Sequence, residues 1–417
     1  MTTSTATPQV VQRLTWLLFI GQSLASTGFI AGSTVGALVA RHLTNNDSFT
    51  GVPGAVYMAG GALGAYAFAR FMEGQGRRRG LTLGFGVGVI GAVGAGLAVL
   101  FGNFFVFLAS FVLMGASRGS YDLARYAAAE MHRREKRGQA ISRVVLGGTL
   151  GSILGPIVVV PQMGLVAQAF GADELVGPWF ASAALFAIGA VLIAGWLRPD
   201  PSQLAQGVPE PSTVVAGPAR RWTAILSRPQ TQAALSALIV GQLVMVMVMV
   251  ITSVHMDHHG HSLGDISIVF FSHTLGMFAP SAFSGRLADR LGRGPVIVAG
   301  GLLLITACVI APLSQNTYII AAALLLLGLG WNFCAVAGGA LLTDTLAPAE
   351  RSRWQGMTDL IINVVSGTGS MGSGVVFAAF GYGLIAGLGM IATIVPLAVT
   401  ARWLWVRRSA PLAAAAD

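Results

Sequence analysis

Charged side chains are scarce in this sequence, and their scarcity decides the class of protein. Only 10% of the 417 residues are Asp, Glu, Lys or Arg, whereas a soluble protein carries about a quarter. The composition therefore excludes a soluble enzyme, a secreted disulfide scaffold and a disordered chain. Cysteine is also rare, since only Cys308 and Cys334 are present and both lie inside apolar segments. Neither a disulfide framework nor a CxxC metal site is expected.

Apolar segments long enough to cross a bilayer are abundant instead. Apolar residues make up 54% of the chain, and the mean hydropathy is +0.72. A spanning helix needs about 20 consecutive apolar residues, and the sequence predicts twelve such spans. They lie near residues 12–41, 52–72, 80–101, 104–128, 141–166, 177–197, 230–254, 263–285, 293–313, 317–343, 357–379 and 382–406. We therefore predict an all-α integral membrane protein with the lipid bilayer as its surroundings.

The basic residues predict the orientation of these spans. Lys and Arg are retained on the cytoplasmic side of a membrane, and every loop from an even-numbered span to the next odd-numbered span is basic. The loops from an odd-numbered span to the next even-numbered span hold a single arginine, Arg41. Both termini are therefore predicted to be cytoplasmic. The net charge of +9 is read as a topology signal, and no nucleic-acid partner is expected.

The longest polar connection separates the spans into two groups of six. This connection is rich in Pro, Ser and Gly, a composition typical of a linker. The predicted divisions are an N-terminal half at residues 1–197, a cytoplasmic linker at 198–229 and a C-terminal half at 230–417. Two six-helix halves joined in this way are typical of a transporter that rocks around a site between the halves at mid-membrane.

One basic loop carries a family motif. The loop after span 8 reads Gly-Arg-Leu-Ala-Asp-Arg-Leu-Gly-Arg from Gly285 to Arg293, and it resembles the G-x-L-A-D-R-x-G-R signature of the major facilitator superfamily. The equivalent loop of the first half is degenerate, but it keeps an acid, Glu73, three residues before Gly76. The resemblance implies a 6+6 fold of twelve transmembrane helices with halves related by a pseudo-two-fold axis. A fold says little about the cargo.

Charged residues near these loops are predicted to act in gating. An Asp facing arginines at neighbouring helix ends could hold a gate closed through ion pairs that break when the halves rock. In the alternative interpretation, the arginines only anchor the cytoplasmic face. Arg118, Asp122 and Arg125 recur on one face of span 4, either as a structural or gating cluster or as a direct contact for cargo. The predicted gating residues are Arg286, Asp289, Arg290, Arg293, Glu73, Arg118 and Asp122.

Spans 7 and 8 carry a candidate metal site. Met245 and Met249 share one face of span 7, and His273 and Met277 form a second i, i+4 pair on span 8. At about 1.5 Å per residue, Met245 and His273 both fall near the membrane midplane. Thioether and imidazole donors suit Cu(I) and disfavour hard ions that need oxygen ligands. The methionines alone could be apolar core residues, but an imidazole at mid-span indicates function.

These two motifs carry a closer resemblance. Met-x-x-x-Met followed by His-x-x-x-Met is similar to the CcoA-type importers of the major facilitator superfamily, which supply copper for cytochrome oxidase assembly. The resemblance implies that Met245, Met249, His273 and Met277 ligate copper in a bacterial inner-membrane importer. Copper would be the transported substrate, and no cofactor is expected. We expect a monomer, with a proton as a candidate coupling ion.

The outer loop after span 7 is a second and weaker metal candidate. His255, Met256, His258, His259 and His261 lie within seven residues of one another. Histidine-rich tracts bind borderline metals, so the loop is interpreted either as a site that captures copper or as a solvated polar turn.

Three functions compete on the sequence alone. The first is copper transport by alternating access. The second is proton-coupled export of small organic or drug-like molecules, favoured by a partial antiporter motif at Gly155-Pro156 and disfavoured because the first half lacks a mid-span carboxylate. The third, a metal sensor, would need a signalling domain that neither terminus nor the linker is long enough to hold. An enzyme is not expected, because no nucleophile, base or phosphate-binding loop stands out.

Overall fold

The computed structural model describes residues 8–205 and 222–413. Within these residues the chain forms helices and connecting turns and contains no strand. Twelve of the helical segments are long and apolar enough to cross a membrane, which confirms the predicted all-α fold with twelve spans. The chain divides into two compact units, Met1–Ser212 and Thr213–Asp417. The predicted linker at 198–229 lies in part outside the described residues.

The first unit contains six membrane spans, two of which are broken. Span 4 is divided at Asp122, and span 5 contains one turn of π-helix that coincides with Gly155-Pro156. Proline lacks the N–H that an α-helix needs inside the ladder, and a π turn restores the hydrogen bonding around it. The helices are α1 (Pro8–Thr44), α2 (Val52–Gln75), α3 (Arg77–Leu100), α4 (Phe104–Tyr121), α5 (Ala124–Glu130), α6 (Arg134–Leu154), the π-helix (Gly155–Val159), α7 (Val160–Ala169), α8 (Gly177–Trp196) and α9 (Pro201–Ala205), with a 3-10 turn at Asp47–Phe49.

The second unit contains the other six spans. Span 8 is broken at Pro280, and Gly292 and Gly381 take positive φ angles of 91° and 78° where helices end, a backbone region that favours glycine. The helices are α10 (Trp222–Leu226), α11 (Pro229–His258), α12 (Leu263–Phe278), α13 (Ser281–Leu291), α14 (Arg293–Ile310), α15 (Thr317–Thr345), α16 (Pro348–Phe380) and α17 (Tyr382–Ala413), with a 3-10 turn at Ala311–Leu313.

The two units repeat one arrangement of packed helices. In the first unit α1 packs against α6 and α8, α4 packs against α2 and α3, and α3 packs against α8. In the second unit α11 packs against α16 and α17, α15 packs against α12 and α14, and α14 packs against α17. The fourth span of each unit is therefore held between its second and third spans, and the first span is held between its fifth and sixth.

Glycines bring α2 and α4 into backbone contact. A Cβ atom on Gly60 would lie 2.2 Å from the carbonyl oxygen of Val112, and one on Gly115 would lie 2.1 Å from that of Tyr57. Small residues at such positions let membrane helices approach closely. This contact places the polar side chains of α4 directly beside the aromatic side chain of Tyr57.

Candidate functional site

A charged and aromatic cluster lies at the contact between α2 and α4. The Arg118 guanidinium carbon lies 5.8 Å from the ring centroid of Tyr57, a cation–π distance. The Tyr57 ring is buried and stacks on Phe29 of α1, with centroids 4.1 Å apart and planes 11° apart. Arg118 Nε is 3.3 Å from Asp122 Oδ2, and both side chains remain 40% exposed. The cluster thus combines a preformed aromatic stack with an accessible ion pair.

Positive charge exceeds negative charge in this cluster. Between Phe104 and Glu130 the charged residues are Arg118, Asp122 and Arg125. Asp122 pairs with Arg118, and the Arg125 guanidinium lies 4.9 Å from the ring centroid of Tyr126. The Nε of Arg125 is buried and has no hydrogen-bond partner among the described residues. An unpaired donor in a positively charged surrounding is suited to an anionic group from outside the chain.

The second unit holds an amide and an indole instead. Trp331 Nε1 on α15 donates a hydrogen bond of 2.8 Å to Gln242 Oε1 on α11. Gln242 Nε2 donates one of 3.1 Å to Ser366 Oγ on α16. The Trp331 ring also makes an edge contact with Phe278 of α12, with centroids 6.3 Å apart. Gln242 and Trp331 are both only half-buried, so side chains from four helices converge on a partly accessible polar group.

This convergence occupies the same position in both units. Asn103 and Asn316 cap the first turns of α4 and α15, and Arg118 and Trp331 each follow their cap by fifteen residues. Within each unit, the fourth span therefore presents a large polar side chain at the same distance from its N-terminal cap. The sequence predicted a role for Arg118 and did not single out Trp331.

The first helix of each unit adds a glutamine at an equivalent position. Gln22 follows Gly21 in α1, and Gln242 follows Gly241 in α11. Gln22 Nε2 lies close to Gly148 of α6, and its Oε1 is buried with no hydrogen-bond partner in the described part of the chain. A paired Gly-Gln motif was the sequence signal for these two residues.

The four predicted copper ligands differ in their surroundings. Met245 is buried, whereas Met249 and Met277 are half-buried. His273 is fully buried, and its Nδ1 donates a 3.0 Å hydrogen bond to the Leu324 carbonyl of α15. The His273 Nε2 is buried and has no partner among residues 8–205 and 222–413.

The helices that carry these ligands do not pack against each other along their lengths. Both α11 and α12 pack against α15, and a Cβ on Gly328 of α15 would lie 2.3 Å from the carbonyl oxygen of His273. The two motifs therefore lie on helices whose common neighbour is α15. No group of three or more His, Cys, Asp or Glu residues is placed to hold a metal within the described residues. Ligation by the four side chains stays a prediction.

The structure brings together two of the five residues predicted for metal capture. The rings of His255 and His259 lie 4.4 Å apart. His258 instead lies against a phenylalanine of α16 at 5.5 Å, and His261 is 3.2 Å from a threonine hydroxyl of α15. Met256 is fully buried, because it falls on the face of α11 that packs inward, and metal capture by this segment stays a prediction.

Two of the four predicted gating residues of the second half, Asp289 and Arg293, take part in one ion-pair group. Arg293 Nη1 is 2.5 Å from Asp289 Oδ1, and Arg293 Nε is 3.3 Å from Asp344 Oδ2 at the end of α15. Arg286 and Arg290 are exposed on α13. Asp344, which sequence reasoning missed, thus ties the motif loop to the fourth span of its unit.

In the first half a different acid occupies the predicted position. Glu73 pairs with Arg70 at 3.3 Å, and both side chains are exposed. Arg77 is instead joined to Glu130 of α5, with Nε 3.0 Å from Oε2. The acid that the structure joins to the start of α3 is thus Glu130, at the end of span 4, and gating by Glu73 stays a prediction.

An aspartate from the connection after α8 caps α3. Asp200 accepts hydrogen bonds from the backbone N–H groups of Arg77 at 3.1 Å and Arg78 at 2.9 Å. Ser202 donates to the same carboxylate from both its N–H and its hydroxyl. Partial burial raises the pKa of Asp200, but the hydrogen bonds from Ser202, Arg78 and Arg77 outweigh it and hold the pKa below its usual value.

Twelve spanning helices in two repeated units, with polar clusters at spanning depth, define a multi-pass membrane transporter. The model of the Major Facilitator Superfamily matches residues 18–260 and 235–416, and the chain belongs to that family of secondary transporters. It is 33% identical to the "Uncharacterized MFS-type transporter YdeG" of Bacillus subtilis, over 94% of this chain and 92% of the relative.

The chain is also similar to a second sequence relative and to a solved structure. The chain is 29% identical to the "Riboflavin transporter RfnT" of Brucella anthropi, over 83% of this chain and 84% of the relative. Its fold is similar to that of a bacterial homologue of the iron transporter ferroportin, with a TM-score of 0.69, 11% identity, and coverage of 94% and 98% of the two chains. At that identity the structural likeness shows the fold alone.

Proposed function

We propose that this protein transports a small organic molecule, with a planar ring and an anionic group, across a bacterial inner membrane by alternating access. The observation that carries the proposal is the Arg118 guanidinium over the Tyr57 ring, which itself stacks on Phe29. The same span carries a second arginine, Arg125, whose buried Nε has no hydrogen-bond partner among the described residues. A proton is the candidate coupling ion.

The charge argument follows from the cost of ions at membrane depth. Ionisable side chains inside a spanning segment are expensive and indicate a functional role. Asp122 pairs with Arg118 and is the one acid in the sequence between Phe104 and Glu130, which also holds Arg125. A carboxylate or phosphate on the substrate would balance the second positive charge. The half-exposed Arg118 side chain is accessible to such a group, and the adjacent aromatic stack offers a face for a ring.

The polar group of the second unit supports the same substrate class. Gln242 uses one N–H and one lone pair in its bonds to Ser366 and Trp331, which leaves a second N–H and a second lone pair. Such a carboxamide beside an indole suits the polar edge of a planar ring. Ligand sites commonly combine aromatic walls with a few convergent polar groups.

The relatives favour an organic substrate over a metal ion. The name of the Brucella relative specifies riboflavin, a planar polar ring system. Riboflavin and flavin mononucleotide therefore make a matched pair of probes, since they share the ring and differ by a phosphate.

The test is uptake of both flavins into proteoliposomes with and without an imposed pH gradient. We expect the anionic flavin mononucleotide to be carried faster than riboflavin, and Arg118→Gln to remove that preference. Arg41→Gln is the matched control, because Arg41 pairs with Asp47 in the connection before α2. Equal rates for the two flavins, or a preference that survives Arg118→Gln, would count against the proposal.

Copper transport is the second candidate, and one observation favours it. The buried His273 Nε2 lacks a hydrogen-bond partner in the described residues, and a neutral imidazole nitrogen in that condition suits a soft or borderline metal. Met245 and Met249 lie about 40° apart on α11, as the copper-importer resemblance requires. We place this candidate second because α11 and α12, which carry the four ligands, do not pack against each other along their lengths.

Radiocopper uptake tests the copper candidate independently. Met245→Ala and His273→Ala should abolish uptake if these side chains carry copper. Met247→Ala is the control, because Met247 lies on the opposite face of α11 near Gly369 of α16. Unchanged accumulation in both test variants would remove the copper candidate.

The orientation belongs to the same proposal. The arginine-rich loops between even and odd spans support cytoplasmic termini through the retention of basic residues on that side. Protease protection of a terminal epitope in right-side-out spheroplasts tests this orientation, and digestion of the epitope from outside would reverse it.

A further inference from the structure

A pair of histidines at the end of α11 stands apart from the clusters described above. His255 lies in the last turn of α11, and His259, four residues later, is the C-cap residue of the same helix. Their ring centroids are 4.4 Å apart with planes at 62°. We infer that these two side chains form a binding site for a borderline divalent transition-metal cation of the Zn²⁺ type.

The hydrogen bonding of His259 leaves a ligand atom available. Its Nδ1 donates a 2.7 Å hydrogen bond to the His255 carbonyl oxygen. A neutral imidazole with Nδ1 protonated carries its lone pair on Nε2, and metal-bound histidines ordinarily donate their other nitrogen in this way. Two histidines at this spacing on one helical face are a recurrent zinc-binding arrangement.

The ring of His255 is held by a neighbouring helix. It stacks on Tyr382 at the start of α17, with centroids 4.4 Å apart and planes 12° apart. The Tyr382 hydroxyl lies 2.9 Å from Thr252 Oγ1, one turn earlier on α11. His255 is therefore oriented before a metal arrives, which lowers the ordering cost of binding.

The surroundings limit the site to two protein ligands. Met256 is buried, and His258 and His261 contact other helices, consistent with the lack of a larger metal-binding group among the described residues. Water completes the coordination sphere, as open zinc sites allow. A cation at this position also faces the C-terminal end of α11, where positive charge is favourable.

The test is isothermal titration of Zn²⁺ into the purified full-length protein in nanodiscs, prepared without a histidine tag. We expect one bound ion, and an affinity about tenfold or more weaker in His259→Ala, the scale on which losing even an orienting group weakens metal binding. His255→Phe removes the nitrogen ligands but keeps a ring on Tyr382, and it should weaken binding equally. X-ray absorption at the zinc edge should show two imidazoles in the unaltered protein.

Matched controls decide the interpretation. His261→Ala, in the same segment, should bind Zn²⁺ as the unaltered protein does, and Mg²⁺ should not bind. Undiminished zinc affinity in His259→Ala and His255→Phe would overturn the inference, as would equal weakening in His261→Ala. Riboflavin and copper uptake are separate readouts, so failure of this site would leave the proposed transport function untouched.

Discussion

The hydrogen bond between Trp331 and Gln242 joins α15 to α11 in the second unit, and its removal tests that group directly. Gln242→Leu keeps a side chain of similar volume but removes the acceptor of the 2.8 Å bond and the donor of the 3.1 Å bond to Ser366. Trp331→Phe removes the donor of the first bond and keeps an aromatic ring.

The expected magnitude follows from the number of bonds lost. An interhelical hydrogen bond in a membrane protein contributes about 0.6 kcal/mol on average and at most about 1.7 kcal/mol. Gln242→Leu loses two such bonds, so it should lower the free energy of unfolding by about 1–3 kcal/mol. The two substitutions share one bond, so their coupling energy should be about 0.6–1.7 kcal/mol.

The assay is reversible unfolding in mixed detergent micelles, with both single variants, the double variant and the unaltered protein. Thr343→Val is the control, because its hydroxyl bonds within α15 to Gly339 and shares no partner with Gln242. That substitution and Gln242→Leu should be additive to within about 0.3–0.5 kcal/mol. A coupling energy of zero between Gln242 and Trp331 would refute the bond and remove the support that the second unit gives to the proposed substrate class.

Three other substitutions address the supporting structure. Asp200→Ala should destabilise the protein by about 1 kcal/mol through loss of a helix cap. Because the pKa of Asp200 is lowered in the folded state, the stabilisation from this carboxylate is complete above the unfolded carboxyl pKa of about 3.9 and disappears as the pH falls through the folded pKa. Unfolding free energies measured against pH, with and without the substitution, test this dependence. Gly115→Val should cost about 1–3 kcal/mol or more by overpacking against α2, whereas Gly86→Ala, where a Cβ meets nothing within 4 Å, should cost little in the same unfolding assay. Glu130→Gln should alter the flavin transport rate by weakening the ion pair with α3, and Glu73→Gln should not; identical rates in both variants would remove Glu130 from gating.

The spans could be predicted because bilayer thickness sets their length and because charge is excluded from them. The breaks within spans were harder to predict. Pro280 and Pro156 mark two of them in the sequence, but the π turn at Gly155–Val159 depends on how the chain restores its hydrogen bonds around the proline. Such a local adjustment is decided by packing against α1, which no single-segment pattern contains.

Part of the candidate site could be predicted from the sequence, namely the part that depends on one helix alone. Arg118 and Asp122 are four residues apart on one helix, so their ion pair follows from helical periodicity. Glu130 and Asp200 meet the start of α3 from distant positions in the chain, and only the packed unit brings them there. Glu73 was predicted as a gating residue because it lies three residues before Gly76 in the sequence.

The copper motifs illustrate the limit of periodicity. Spacing correctly indicates which residues share a face of α11 or α12, but it does not say which helix each face meets. The position of α15 as the common neighbour of both helices comes from the order in which the unit packs its spans. The Gly-Gln repeat at Gln22 and Gln242 is present in the sequence. Its significance follows from the structure, in which α1 and α11 occupy the same place in the packing of their units.

The most direct measurement of the central claim is a dual-label experiment in one preparation of proteoliposomes. Labelled flavin mononucleotide and radiocopper are supplied together to the unaltered protein and to Arg118→Gln. We expect the flavin to accumulate in vesicles with the unaltered protein, to accumulate far less with Arg118→Gln, and copper to remain at the level of empty vesicles. Accumulation of copper without flavin, unaffected by Arg118→Gln, would contradict the account.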